Sequence, residues 1–314
     1  MSASFAEWRK HFDWRQYVIY VGFILVFGFF AVTLADEGFL TQRNLENIIR
    51  QTATITVMAV AMTFVIGAAQ IDLSVGSVVG LASVTTAMAI ANFGIVPGIA
   101  AGLLTGLLVG AANGALVAYL AIPSFLVTLG MLGIAHGSAM WITDTAPQPI
   151  RDDTFNNLFG SGDIGPIPSL VFWTIVAVVI GHIVLKKTGY GRRVLATGGN
   201  PVAARFSGVD TKKITFTVLT VMGVVAAFAG MLLAGRLHSG RYTFGEGFEL
   251  SVIAAVILGG TSLFGGRATV IGSVLGSLMI GLINNGLTLM GMESSQQQIV
   301  RGAIIILAVA LARR

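Results

Sequence analysis

Long apolar stretches with few charges are the feature that most constrains the fold of this chain. Three of them, near residues 17–35, 53–69 and 168–185, approach the roughly 20 residues that a helix needs to cross a bilayer. The composition agrees, because 55% of the residues are hydrophobic and only 11% are charged. The stretches are continuous rather than alternating, so they indicate helices and not a β-barrel. We therefore predict an all-α, polytopic membrane protein.

Charges, glycines and prolines divide the chain into about ten expected transmembrane helices within a single domain over residues 1–314. Their expected positions are 18–35, 50–69, 73–92, 95–119, 124–143, 168–185, 214–236, 249–260, 268–290 and 297–312.

The distribution of basic residues predicts the orientation. If the N-terminus lies inside, thirteen of the 19 Lys and Arg residues fall on the cytoplasmic side, as the positive-inside rule favours. Both termini are then cytoplasmic, with a tail over 1–17 and a cytoplasmic loop over 186–213. The acidic, proline-rich loop over 144–167 would lie on the periplasmic side. There it could cap a pore, contact a partner or act as a solvated connector.

Several functional classes are disfavoured by the residues present. The net charge of +5 follows membrane topology rather than a soluble basic face, so we expect no nucleic-acid binding. The stretch "LGGTSLFGGRA" has the glycines of a phosphate-binding loop, but Arg267 and Ala268 stand where lysine and a hydroxyl residue are needed. It predicts a tight turn between two half-buried helices instead. With no cysteine, four dispersed histidines and no catalytic constellation, we expect a non-enzymatic chain without metal or cofactor.

A few polar residues interrupt the apolar helices and are candidates for a solute path. Asp72, in "GAAQIDLSVGSVVG", predicts with Ser74 a helix start at which the carboxylate accepts free amide hydrogens; direct contact with a solute is the alternative. The asparagines either form interhelical hydrogen bonds or face the path. The candidate path residues are Asp72, Ser74, Asn113, Asn284 and Asn285.

The polar segment "NPVAARFSGV" predicts about two turns of helix outside the membrane, with Asn200 as N-cap, Pro201 in the first turn and Gly208 as the stop. Its small alanines would fit a groove on another protein, and its charged and aromatic residues would add contacts. The alternative is a surface loop that anchors lipid head groups. The residues concerned are Gly199, Asn200, Pro201, Ala203, Ala204, Arg205, Phe206, Ser207 and Gly208.

Five blocks of this sequence resemble the membrane permease subunit of bacterial ABC importers for monosaccharides, the ribose, xylose and arabinose group. The blocks are "IDLSVGS", "IPSFLVTLGML", "GYGRRVLATGGNPVAARFSGV", "IAAVILGGTSLFGG" and "LINNGLTLMG", in order from about residue 40 to the C-terminus.

The resemblance implies an inner-membrane protein that forms a translocation path by alternating access with a second permease subunit, in a homodimer. ATP and magnesium would be bound by a separate cytoplasmic ATPase, and a periplasmic solute-binding protein would deliver the solute. The segment Gly198 to Val209 matches the family's coupling helix, which docks in a cleft of the ATPase. Membrane lipid would surround the chain.

The resemblance leaves the solute open. Gln70 stands where related permeases usually have glycine, and Ser251 stands where they have aspartate. Sugars, sugar alcohols and cyclitols fit the group, as do furanose-like signals; more distant relatives move amino acids or nucleosides. The other classes that remain are an ion-coupled secondary transporter and a membrane-bound enzyme.

Overall fold

The computed structural model describes residues 18–312, in which thirteen helices and four two-residue strands form. The helices are α1 (Val18–Thr33), α2 (Gln42–Gly67), α3 (Val75–Phe93), α4 (Ile95–Ala118), α5 (Ser124–Thr143), α6 (Asp153–Phe159), α7 (Ser169–Lys187), α8 (Gly189–Gly199), α9 (Pro201–Phe206), α10 (Thr211–Leu237), α11 (Phe248–Leu258), α12 (Val270–Leu289) and α13 (Ser294–Ala312). The strands are β1 (Gln148–Pro149), β2 (Asp163–Ile164), β3 (Ile167–Pro168) and β4 (Ser239–Gly240), paired antiparallel as β1 with β4 and β2 with β3. The expected tail over 1–17 lies outside the described residues.

Seven of the described helices are long and apolar enough to cross a membrane, namely α2, α3, α4, α5, α7, α10 and α12. Two more, α1 and α11, are apolar but shorter. An all-α membrane protein is therefore confirmed, while the count of ten helices and the orientation of the termini stay predictions. The helix expected from residue 50 begins at Gln42 instead, because Thr41 caps it by accepting the amide of Asn44.

Helices α4 and α10 approach each other along a stripe of glycines. A glycine occurs at every fourth residue of α4 from Gly98 to Gly114. A Cβ at Gly110 would lie 2.7 Å from the carbonyl oxygen of Thr220, and one at Gly114 would lie 2.7 Å from that of Phe216. These distances are shorter than real Cβ atoms tolerate, so only glycine permits this backbone separation.

Hydroxyl pairs join α2 to α12. Thr56 Oγ1 and Ser277 Oγ are 2.8 Å apart, and Thr63 Oγ1 donates to Ser273 Oγ at 2.8 Å. All four residues are buried. Interhelical hydrogen bonds of this kind fix the register of two helices where no water competes.

The loop expected over 144–167 packs on the chain itself. It contains α6, whose Phe159 stacks on Trp173 of α7 with ring centroids 5.8 Å apart. Asp163 forms an ion pair with Arg50 of α2 at 3.6 Å. The loop is therefore a packed cover over one end of the helix bundle rather than a fully solvated connector.

Contacts between helices define two ends of the bundle. One end carries α9, the last turn of α2 and the start of α10, and we call it the α9 end. The opposite end carries the start of α2, the end of α10 and α6.

The glycine stripe of α4 gives a test of helix packing. We expect Gly110→Val to lower the free energy of unfolding by about 1–3 kcal/mol, because the added side chain must separate α4 from α10. Gly130→Val on α5 is the matched control, since nothing lies within 4 Å of a Cβ at Gly130. Thermal unfolding of both variants in detergent measures the difference. Equal melting temperatures would contradict this packing.

Candidate functional site

The short helix α9 forms as the sequence predicts. The side chain of Asn200 accepts the amides of Val202 at 3.1 Å and Ala203 at 3.0 Å, and Pro201 occupies the first helical position. Gly208 ends the helix with a backbone φ of 82°, a value that residues other than glycine rarely adopt. The capping residues therefore fix the length of α9 at six residues.

One side of α9 is exposed and the other faces the chain. Phe206 is 90% exposed and Val202 is 55% exposed, whereas Ala204 is only 5% exposed. Phe206 and Val202 thus present apolar side chains away from the rest of the chain. Ala204 packs inward, so Ala203 is the alanine of the pair that remains accessible to another protein.

Three glycines meet just before α9 in the chain, at what we call the glycine junction: Gly67 at the end of α2, Gly198 near the end of α8, and Gly266 before α12. A Cβ at Gly198 would overlap the carbonyl oxygen of Gly67, and it would lie 2.9 Å from the amide nitrogen of Gly266. The Gly266 amide donates to the Gly67 carbonyl at 3.1 Å. Backbone therefore meets backbone in all three segments.

The glycine-rich stretch after α11 is the tight turn that the sequence predicts. Gly260, Gly265 and Gly266 have φ values of 87°, 80° and 77°, and the amide of Gly265 donates to the carbonyl of Ser262. The turn joins α11 to α12 and brings Gly266 to the glycine junction.

Three of the candidate path residues form one buried polar network near the α9 end. Ser74 donates its amide to Asp72 Oδ1 at 2.9 Å and its hydroxyl to the same oxygen at 2.6 Å. Asn113 Nδ2 donates to Ser74 Oγ at 2.9 Å. Each of the three residues is 1% exposed. The network therefore supplies hydrogen bonds to a carboxylate that would otherwise be costly to bury.

The expected helix start near Asp72 is confirmed, since α3 begins at Val75. The segment before it is not helical. Its amides at Ile71 and Leu73 donate to Ser124 Oγ at 3.1 Å and Thr128 Oγ1 at 3.0 Å, both on α5. Asp72 thus sits where the break between α2 and α3 is attached to a neighbouring helix.

The other two candidate path residues, Asn284 and Asn285, lie far from the network around Asp72. Asn285 of α12 exchanges two hydrogen bonds with Asn44 of α2, at 3.0 Å and 2.9 Å. Asn44 stands in the first turn of α2 and Asp72 follows its last turn, so the 26 residues of α2, about 39 Å, separate the two groups. The carbonyl of the adjacent Asn284 accepts the hydroxyl of Thr288. The candidate path residues therefore do not form one site.

A segment that sequence reasoning did not single out runs back into the bundle. After α10, residues 239–247 turn and follow α3 from Ser83 to Gly76, about 10 Å along its axis. A Cβ at Gly80 would lie 2.6 Å from the carbonyl oxygen of Tyr242, and one at Gly76 would overlap that of Gly245. We call residues 239–247 the re-entrant segment. Its sequence signal is the pair of α3 glycines, together with an α11 of only 11 residues.

The re-entrant segment turns its polar side chains away from α3. Arg241, Thr243 and Glu246 are exposed, while Gly240 and Gly245 are buried against α3. Tyr242 lies edge-on to His136 of α5, with ring centroids 5.6 Å apart. By contrast, the exposed residues of α4, such as Leu104 and Leu108, are apolar. The segment thus presents a polar surface beside α3, a helix that is long and apolar enough to cross a membrane.

Ser251 and Gln70, the two positions at which the resemblance predicts a departure, have different surroundings. Ser251 is 1% exposed on α11, and its hydroxyl donates to the carbonyl of Gly247 at 3.3 Å. Gln70 lines a cavity at the α9 end together with Arg205. Ser251 is therefore buried within the chain, and Gln70 is the accessible one of the two.

Many apolar helices packed through glycines, with a polar break within the bundle, are typical of a multi-pass membrane protein. Residues 44–309 match the protein family described as "Branched-chain amino acid transport system / permease component". The chain belongs to this family of ABC-transporter permeases, and it is a multi-pass protein of the inner membrane.

Similar proteins cover nearly the whole chain. The ribose import permease protein RbsC of Bacillus subtilis is 40% identical over 98% of this chain and 96% of its own length. The L-arabinose ABC transporter permease protein AraH of Azospirillum brasilense is 37% identical over 91% of this chain and 84% of its own length. The D-allose transport system permease protein AlsC of Escherichia coli is 36% identical over 99% of this chain and 96% of its own length. No solved structure matches the chain.

The buried network around Asp72 gives a second test. Asp72→Ala removes the acceptor of two hydrogen bonds from Ser74, so we expect a loss of about 1–3 kcal/mol in the free energy of unfolding. Asp72→Asn keeps an acceptor oxygen and is expected to retain most of the stability. Thermal unfolding in detergent separates the two variants. If Asp72→Ala unfolds at the wild-type temperature, the network does not hold the helix break.

Proposed function

We propose that this chain is the transmembrane subunit of an ATP-binding-cassette importer and that it carries a monosaccharide or related polyol across the inner membrane by alternating access. The observation that carries the proposal is the exposed helix α9, which the glycine junction attaches to α2 and to the turn before α12. A force on α9 therefore reaches the membrane helices through the backbone rather than through mobile side chains.

A separate cytoplasmic ATPase is the proposed partner of α9. The exposed phenylalanine, Phe206, and its neighbour Val202 supply an apolar contact, which a groove in the ATPase would cover. ATP and magnesium would be held by that partner. In this arrangement the α9 end is cytoplasmic, and this agrees with the basic residues of the loop over 186–213.

The re-entrant segment is the proposed lining of the translocation path. Backbone without helical hydrogen bonding is tolerated at membrane depth only where protein covers it or where it faces a water-filled cavity. Exposed Arg241, Thr243 and Glu246 favour the water-filled cavity, because charged side chains in lipid are costly. One chain offers only one wall of such a path, so a second permease subunit would provide the other, in a homodimer. In this arrangement Asp72, Ser74 and Asn113 do not contact the solute; their hydrogen bonds hold the start of α3, against which the re-entrant segment packs.

The opposite end of the bundle is the proposed contact for a periplasmic solute-binding protein. An open cleft of about 510 Å³ lies there, lined by Glu37, Arg43, Glu46 and Arg50 among other residues. Charges of both signs on a docking surface orient the partner and select it, and they contribute less to the affinity.

The names of the relatives favour a sugar as the solute. Ribose, L-arabinose and D-allose are named in proteins that are 36–40% identical to this chain over most of its length. Hydroxyl, carboxylate and aromatic groups, such as those of Thr243, Glu246 and Tyr242, are the groups that bind polyhydroxy compounds. A non-sugar solute is the alternative, and an ion-coupled secondary transporter is the alternative mechanism.

Uptake into right-side-out membrane vesicles loaded with ATP separates the mechanisms. We expect import to require the ATPase, the solute-binding protein and ATP, and to persist after ionophores collapse the ion gradients. Uptake by the chain without an ATPase would contradict the proposal and would favour the ion-coupled mechanism.

Docking of the ATPase gives a prediction on single residues. Phe206→Asp places a charge in the proposed apolar contact, and we expect it to weaken co-purification of the ATPase by about tenfold or more. Met290→Asp is the matched control, since Met290 is also an exposed apolar residue but lies at the opposite end. Equal co-purification by both variants would remove α9 from the docking surface.

The chain contains no cysteine, so a single introduced cysteine is the only thiol in it that a reagent can label. We expect Thr243→Cys to react with a water-soluble, charged thiol reagent in membranes, because Thr243 would face water within the path. Leu104→Cys, on the apolar face of α4, is expected to react at least about tenfold more slowly, because thiolates form poorly in lipid. Similar rates would contradict the assignment of the re-entrant segment to the path.

A further inference from the structure

A cavity of about 320 Å³ opens beside α9 at the α9 end of the bundle. Arg205 of α9, Lys212 of α10 and Gln70 line it, together with the turn between α4 and α5. Among the residues that the structure describes, no carboxylate lines it. The cavity therefore carries positive charge from two separate helices.

The two cations are not neutralised within the part of the chain that the structure describes. Arg205 donates its Nε to the carbonyl of Pro201 at 3.2 Å, and its terminal amino groups make no further hydrogen bond there. Lys212 makes no ion pair among residues 18–312. The nearest acid in sequence, Asp210, accepts the amide of Lys213 at 3.0 Å as the N-cap of α10.

Two threonine hydroxyls complete the site. Thr211 and Thr215 are 9% and 8% exposed, both line the cavity, and neither hydroxyl has a hydrogen-bond partner among the described residues. They are four residues apart and so lie on one face of α10. Each residue is largely buried but its hydroxyl oxygen stays open to the cavity, where a ligand can reach it. Two cations and two free donors form the pattern that binds an anionic oxygen group.

Exposed apolar residues lie on α5, the helix that begins at the turn lining the cavity. Phe125, Leu126 and Leu129 of α5 are each about half exposed. They begin just beyond Ser124, which also lines the cavity. A ligand with an anionic head and apolar chains would match both surfaces, whereas a soluble anion or an acidic protein side chain would match only the first.

We propose that this cavity binds the phosphate group of an anionic phospholipid, with Arg205, Lys212, Thr211 and Thr215 around the phosphate and the acyl chains along α5. Since Arg205 belongs to α9, the lipid would join α9 to α10 and to the turn between α4 and α5. The proposal concerns the chain alone and does not rest on the ATPase.

The test uses the purified full chain in dodecyl maltoside micelles, titrated with fluorescent phosphatidylglycerol, with phosphatidylcholine as the neutral comparison. We expect the pair Arg205→Gln and Lys212→Gln to weaken phosphatidylglycerol binding by about tenfold or more. Lys187→Gln with Lys213→Gln removes the same charge from exposed positions outside the cavity and is expected to change binding by less than about threefold.

A charge-neutral pair excludes a general effect of surface charge. Thr211→Val with Thr215→Val leaves the net charge unchanged, and we expect it to weaken phosphatidylglycerol binding about fivefold. The melting temperature of each variant shows that it is folded. Equal affinity for the two lipids, or equal losses in the cavity pair and the exposed pair, would overturn the proposal.

Two further measurements distinguish a phospholipid from other anionic ligands, namely soluble phosphate and an acidic side chain of the ATPase. If inorganic phosphate displaces phosphatidylglycerol at millimolar concentration and stabilises the chain equally well, the cavity binds soluble phosphate and the lipid assignment is wrong. If the cavity variants bind phosphatidylglycerol normally but lose the ATPase, the cavity receives an acidic side chain of that partner, and the lipid assignment is equally wrong.

Discussion

Gly67, Gly198 and Gly266 let three chain segments touch through their backbones, and this junction is the constraint on which the rest of the structure depends. A Cβ at Gly198 would overlap the carbonyl oxygen of Gly67, so any side chain there would separate α8 from α2. The Gly266 amide holds the third segment by its hydrogen bond to Gly67. Because close-packed contacts cannot deform gradually, the end of α2, the segment leading into α9 and the turn before α12 are expected to move together.

Small residues set the spacing of the membrane helices as well. Apolar side chains give helices little reason to associate within lipid, so close backbone approach and interhelical hydrogen bonds take over this role. The glycine stripe of α4 and the hydroxyl pairs between α2 and α12 are the two forms of it here. Glycines of α3 serve another purpose, since they make room for the re-entrant segment and thereby place polar side chains beside α3.

Local signals in the sequence were sufficient for most of the long apolar helices and for α9, because Asn200, Pro201 and Gly208 act on their immediate neighbours. They did not predict the short helices α6 and α8, nor the start of α2 at Gln42. Membership of the permease family was also predictable from five short blocks. The sites were harder to predict, since Asn285 pairs with Asn44 across 241 residues and no local pattern reports such a pairing. The re-entrant segment was missed for the same reason: its depth is fixed by the glycines Gly76 and Gly80, which lie more than 150 residues earlier in the chain.

Distances between paired spin labels test the central claim most directly, namely that α9 and the turn before α12 move as one body. Labels would be attached at Val202→Cys and Phe264→Cys in the full complex with its ATPase and binding protein, and a second pair would join Phe264→Cys to Leu126→Cys on α5. On ATP binding, the account predicts an unchanged distance within the first pair and a changed distance within the second. A change within the first pair, with the second constant, would show that the glycine junction does not couple α9 to the membrane helices.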